Sequence, residues 1–327
     1  MELFNTSKEL RPYALRYKMK KIFWFIFALK KTTTFIQSIY NIKKENLKGN
    51  LIRICNFNFL ITINKLMYEI SPQKKERAFT GKIFHSNLKK ITGRNLNKAH
   101  KNTIAIKNSL ELGTYHRNTT VANMLLECAS QLKLVSKKVE DEGFIPIFTP
   151  LHFCSDRIAV VIAAMTSPKE MIAYSIYGKG SWGLNEKQNQ RQYAINIKEY
   201  RPNGPAHEQR IMLKEVKSGS KGMVIFPDIL PQCTQSKMLK NMSYAEVNLF
   251  NRSAIMHNGY ERIAKITNGK FINYYIYWDK NCLKINIFEP TFESQDVIKN
   301  IEISINTHAE QWLLWHYPSF FYYNIGK

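Results

Sequence analysis

The sequence predicts an α/β domain built on a mixed, largely parallel sheet flanked by helices, with a basic helical extension at its N-terminal end. Two observations carry that expectation. From Thr119 onward, short apolar runs of strand length alternate with segments of helical periodicity, the pattern of a parallel sheet covered by helices. The 327 residues are also 44% hydrophobic and 13% aromatic, enough for one sizeable core, which excludes a disordered or collagen-like chain.

Residues 10–70 read as two or three helices, rich in Phe, Ile, Leu and Tyr with lysines between them. Residues 71–104 are polar and basic and are expected to form an exposed loop or short helices. Helical spacing returns over Thr119–Lys137, where Val121, Leu125, Cys128 and Leu132 recur three or four apart. Phe144–Phe148 (FIPIF) reads as a buried strand, Thr149-Pro150-Leu151 as the turn after it, and Ser155–Met165 as the helix that follows. Further strand-like runs lie at Met171–Ile176, Gly222–Phe226, Phe271–Tyr277 and Leu283–Phe288. Helices are expected between them at Ala206–Lys217 and Met256–Thr267, and a last one at Gln295–His308. No internal repeat or low-complexity tract interrupts the series.

Charge divides the chain. Residues 1–110 hold 23 Lys and Arg against five acids, a net of +18, whereas residues 111–327 hold 25 against 20, a net of +5. The expected organisation is a basic, membrane-associating helical region over 1–110 and an α/β domain over 111–327. Lys, Asn and Ile are abundant throughout, so part of the charge reflects a bias of the whole sequence; the remainder favours an anionic partner, whether nucleic acid, a membrane surface or an acidic protein. The most apolar run, Ile22–Leu29, has eight residues between Lys20-Lys21 and Lys30-Lys31, far short of the roughly 20 that span a bilayer. It suits a segment lying in the headgroup layer, its aromatics at the acyl boundary and its lysines on anionic lipid, or else a buried helix flanked by lysines. Five cysteines with no Cys-x-x-Cys pair argue against a disulfide framework or a zinc site and fit a reducing compartment.

The best local candidate for chemistry is His152-Phe153-Cys154-Ser155-Asp156, which follows a buried strand and opens a helix, where site residues of α/β proteins collect. A spacing of four puts His152 and Asp156 one helical turn apart. If the helix starts near His152, the carboxylate fixes the tautomer of the imidazole and leaves its other nitrogen as a base. Asp228 closes a second strand and a proline, as a helix cap or as a site residue. Cys154 lies inside the candidate site without an assignable His or Asn partner and reads as small packing. The glycines form no phosphate-binding pattern, and the aromatics are not interleaved with arginines as in RNA-binding sheets.

Four stretches in order resemble the late acyltransferases of lipid A biosynthesis, the lauroyl/myristoyl transferase family of the lysophospholipid acyltransferase superfamily. They are Phe144–Ala159 (FIPIFTPLHFCSDRIA), Leu213–Asp228 (LKEVKSGSKGMVIFPD), Val247–Pro290 with its Thr267-Asn268-Gly269, and Ile301–His316 (IEISINTHAEQWLLWH) with its Glu-Gln-Trp and second Trp. The resemblance covers about residues 115–318. Two differences stand out: the acid comes four rather than five positions after His152, and His316-Tyr317-Pro318-Ser319 replaces the usual His-Arg-Arg.

The resemblance implies a glycerol-3-phosphate acyltransferase-like fold at the cytoplasmic face of a bacterial inner membrane. It implies an O-acyltransferase that moves a fatty acyl chain from an acyl carrier protein thioester to a hydroxyl of a membrane glycolipid, a lipid A-like molecule or a lipid-linked saccharide terminus. His152 and Asp156 are then the catalytic pair, and Arg191 (or Arg201) and Asp228 bind or support substrate. The partners implied are acyl carrier protein, anionic membrane lipids and the glycolipid acceptor, with no nucleic acid; beyond acyl carrier protein as co-substrate, no cofactor or metal is expected. The alternative is a catalytically inactive acyltransferase-like basic protein that binds membrane or nucleic acid.

Overall fold

The centre of the protein is a strand with no polar face. Ile145–Pro150 (β1) is buried from Pro146 onward, as expected of a parallel strand covered on both sides. The computed structural model describes residues 49–70, 74–96, 98–174, 193–200, 205–229 and 244–317. It has two compact units, Met1–Ile52 and Arg53–Lys327; of the first, residues 49–52 are described and are helical. Everything below concerns the second.

Among the described residues from Phe57 on, four helices precede β1: α1 (Phe57–Ile70), α2 (Lys74–Thr92), α3 (Ala99–Tyr115) and α4 (Thr119–Asp141). After β1 come α5 (Asp156–Met165), β2 (Glu170–Tyr174), β3 (Ile197–Tyr200), α6 (Ala206–Lys217), β4 (Lys221–Val224), the hairpin β5 (Tyr244–Leu249) and β6 (Arg252–His257), α7 (Gly259–Thr267), β7 (Gly269–Asp279), β8 (Cys282–Ile287) and α8 (Ser294–Thr307). Two short 3-10 turns, Ala309–Gln311 and Leu313–His316, follow.

Among the described residues six strands form the main sheet in the order β3-β2-β4-β1-β7-β8, all parallel except β8, which runs antiparallel to β7. This is the mixed, largely parallel sheet that the alternating pattern predicts. Alternate residues face two helical layers. Ile147, Met223, Phe271 and Tyr275 join the core formed with Met212 and Val216 of α6, Tyr260 and Ala264 of α7, and Val297 and Ile301 of α8. On the other face lie α4 and α5, tied to the sheet by Tyr274 Oη, which donates to the Ala159 carbonyl at 2.8 Å. β1 leads through α5 to β2 on one side of it, whereas the chain leaving β4 crosses to β7 on the other. The neighbouring C-terminal ends of β1 and β4 therefore frame a topological switch point, where open α/β sheets bind ligands.

Several expectations need correction. Thr149 and Pro150 are strand, not turn: β7 pairs with β1 as far as Pro150, while β4 reaches only Phe148, so the missing proline N–H breaks no ladder. Of the two alternatives for residues 71–104 the helical one holds among the described residues, though not as short helices only: the 19-residue α2 and the start of α3 lie there, and α2 buries only a narrow stripe that includes Phe84 and Leu88. β6 occupies Met256 and His257, so α7 starts at Gly259. The unit that holds the sheet begins at Arg53, because α1 to α3 pack on the core and on the C-terminal turns: Asn87 Nδ2 donates to the Trp315 carbonyl at 2.6 Å, and Thr103 Oγ1 to that of Glu310 at 2.5 Å. Ile22–Leu29 lies outside the described residues. Among the described residues no helix is long and apolar enough to cross a membrane.

Candidate active site

His152 sits two residues beyond the end of β1, at the switch point. A tight turn centres on it, with the Phe153 N–H donating to the Leu151 carbonyl at 2.7 Å. Cys154 then takes a left-handed conformation, φ 55°, which a non-glycine residue adopts only where its surroundings hold it. The C-terminal segment supplies that hold: the Leu313 N–H donates to the His152 carbonyl at 2.7 Å, the Cys154 N–H to that of Gln311 at 3.0 Å, and Phe153 bridges Trp312. Gln311 is itself fixed to β7, its amide donating to the Trp278 carbonyl at 2.9 Å and accepting the Trp278 N–H at 2.7 Å.

The imidazole's partner is Asp228. Beyond β4 the ladder runs one bond further, Ile225 N–H to the Phe148 carbonyl at 2.9 Å, and this register sets Asp228 across from His152. Asp228 is 2% exposed and accepts three hydrogen bonds: His152 Nδ1–H on Oδ1 at 2.8 Å, and the His152 backbone N–H and Trp312 Nε1–H on Oδ2, each at 2.9 Å. An ionised carboxylate only accepts, so the proton sits on Nδ1 and the neutral ring keeps its lone pair on Nε2. Among the described residues nothing hydrogen-bonds Nε2. Phe226 covers the ring, with centroids 4.3 Å apart.

Asp156 does not orient His152. The helical spacing argument fails because α5 begins at Asp156, with Ser155 as its cap accepting the Ile158 N–H at 3.3 Å, while residues 152–154 turn. Asp156 instead faces Lys107 of α3, at 3.6 Å from Nζ. Lys107 also pairs with Glu111, which accepts the Ser155 hydroxyl at 2.8 Å. Burial pushes the Asp156 carboxyl up, but the Lys107 ammonium, with His152 and Arg157 behind it, holds it below the usual carboxylate range. Burial likewise works against charge on Lys107, and Glu111 and Asp156 more than offset it, raising the ammonium's pKa. On His152 burial disfavours the imidazolium, yet the charge and hydrogen bond of Asp228, with Asp156 adding through space, raise the ring's pKa above its ordinary value.

The structure thus brings His152, Asp156 and Asp228 together and adds Trp312, Lys107 and Glu111, whose roles the sequence reading missed. The only prior signals were the Glu-Gln-Trp sequence and a Lys–Glu pair at helical spacing, which is common on any exposed helix. Arg191 and Arg201 lie outside the described residues. Burial pushes the Cys154 thiol far up, so it is no nucleophile at neutral pH. Among the described residues no three His, Cys, Asp or Glu side chains converge as metal ligands. No protein-family model matches this chain, and no curated protein matches it.

Proposed function

We propose that this protein is an O-acyltransferase that moves a fatty acyl chain from an acyl carrier protein thioester to a hydroxyl of a membrane glycolipid, lipid A-like or a lipid-linked saccharide terminus, on the cytoplasmic face of a bacterial inner membrane. One observation carries the reading: a buried carboxylate holds a histidine in its basic tautomer at the open ends of two parallel strands, within the sequence blocks that resemble the lipid A late acyltransferases.

The chemistry follows from the tautomer. His152 Nε2 takes the proton of the acceptor hydroxyl as its oxygen attacks the thioester carbonyl. The tetrahedral intermediate collapses, the C–S bond breaks, and the imidazolium returns the proton to the departing thiolate. Asp228 stays ionised throughout and stabilises the imidazolium, as the aspartate of a Ser-His-Asp triad does. Asp156 adds negative charge without touching the ring. Arg191 is the proposed anchor for an acceptor phosphate, and acyl carrier protein, which is acidic, suits the chain's net charge of +23.

The test is acyl transfer from purified acyl carrier protein thioester to a detergent-solubilised lipid A precursor, followed by mass spectrometry. His152→Gln should lower the rate by about 10²–10⁴ with an unchanged melting curve. Activity unaffected by that change refutes the role given to His152, and no transfer by the wild-type chain to any glycolipid hydroxyl favours the inactive scaffold instead.

A further inference from the structure

Helix α1 is apolar on both sides. Its inner side buries Phe57, Leu60 and Ile61 and meets α3, with Asn64 Nδ2 donating to Ser109 Oγ at 2.8 Å and Tyr68 Oη 2.9 Å from His100 Nδ1. On the opposite side Phe59, Ile63, Leu66 and Ile70 recur at spacings of four, three and four, with Met67 beside them, and these five side chains are 40–66% exposed. At 100° per residue the first four fall within a band of about 60°. An ordinary surface helix puts polar residues there, whereas one apolar all round belongs in a core or in lipid.

The charge around this stripe selects what covers it. Residues 53–92 hold eight Lys and Arg against two acids. Glu69, the sole carboxylate of α1, is tied to Lys101 at 2.6 Å. A symmetric contact with a second copy would place two such cationic segments against each other, while an anionic bilayer surface complements stripe and cations together. We infer that α1 docks flat on an anionic lipid surface, with Phe59, Ile63, Leu66, Met67 and Ile70 at the acyl boundary and cations of the flanking segments, such as Arg53 and Lys75, among the headgroups. The helix behind it, α3, carries Lys107 of the site, so the lipid plane would lie one helix layer from that network. This inference does not depend on the reaction proposed for His152.

The full chain is sedimented with phosphatidylcholine vesicles containing phosphatidylglycerol and with phosphatidylcholine vesicles alone. The wild type should prefer the anionic vesicles. Ile63→Asn/Leu66→Asn, which alters two exposed positions, should weaken that binding by about tenfold or more with an unchanged melting curve, because both side chains lose apolar burial in lipid. The inference is overturned if the variant binds as the wild type does, since another segment then carries the membrane contact. Equal binding to both vesicle types overturns it as well. A lipid-free dimer in sedimentation velocity that the same variant dissolves would make a second copy the occupant instead.

Discussion

Asp228→Asn tests the site because its effect follows from donor counting. The carboxylate oxygen Oδ2 receives two N–H groups, from the His152 backbone and Trp312, while Oδ1 receives one, from the His152 ring. An asparagine can satisfy the two donors only by putting its carbonyl oxygen there, which turns its amide toward Nδ1. Nδ1 must then accept, and the proton moves to Nε2. The opposite amide orientation sets donors against two N–H groups and leaves both unpaired, at a cost of about 1–3 kcal/mol each. The variant thus keeps the fold but holds the wrong tautomer, and the expected loss in acyl transfer is about 10⁴, as for the same change in the serine protease triad. Nitrogen NMR of the ring reads the tautomer directly: protonated Nδ1 in the wild type, protonated Nε2 in the variant. The pH dependence supplies a second check. In the wild type, transfer should rise with pH through a value above 6.5, where the raised imidazole loses its proton. A raised histidine pKa contributes stability that is present below the unfolded value and lost as pH rises through the folded one. The variant lacks this contribution, so its stability deficit should be larger at pH 5 than at pH 8. A variant that transfers acyl chains within threefold of the wild-type rate, or that retains protonated Nδ1, refutes this assignment.

Asp156→Asn takes from His152 no hydrogen bond, only a through-space charge, so initial rates should fall less than about tenfold, and the rising limb of the pH profile should move toward acid as the imidazolium loses that support. Trp312→Phe takes one donor from the buried carboxylate while leaving the His152 tautomer intact; urea denaturation should report a loss of about 1.5–3 kcal/mol, and NMR an unchanged ring. Gly269→Ala places a methyl 2.5 Å from Ile147 Cγ1, between β1 and the end of α7. It should cost about 1–3 kcal/mol in thermal or urea unfolding, because Ile147 is fully buried and has no room to yield.

The central strands were legible because they are apolar on both faces and bounded by turn residues. The elements that escaped lack that contrast. β3 is a four-residue edge strand that includes Lys198 and Glu199, and β5 and β6 form a hairpin outside the main sheet that mixes buried Leu249, Ala254 and Met256 with Glu246, Asn248 and Arg252. α2 hides its packing among lysines, with Phe84 and Leu88 at helical spacing in an otherwise charged segment. Local pattern cannot find such a helix when only a thin stripe touches the core.

The site divides in the same way. His152 and Asp228 were each recognisable as polar residues just past a buried strand, but their pairing was not, because 76 positions separate them. What joins them is the insertion of β4 between β2 and β1, a fact of topology that no window of sequence contains. The rival pairing with Asp156 looked better locally because it assumed a helix already running at His152. The left-handed Cys154 prevents that, and the bend there is set by the Gln311-Trp312-Leu313 backbone, more than 150 residues downstream. The two backbone hydrogen bonds that hold the bend and the indole that caps Asp228 come from one short segment. This gives a physical reason for the Glu310-Gln311-Trp312 segment of this chain: it holds the bend that carries His152 and adds an indole donor to the carboxylate that pairs with the imidazole.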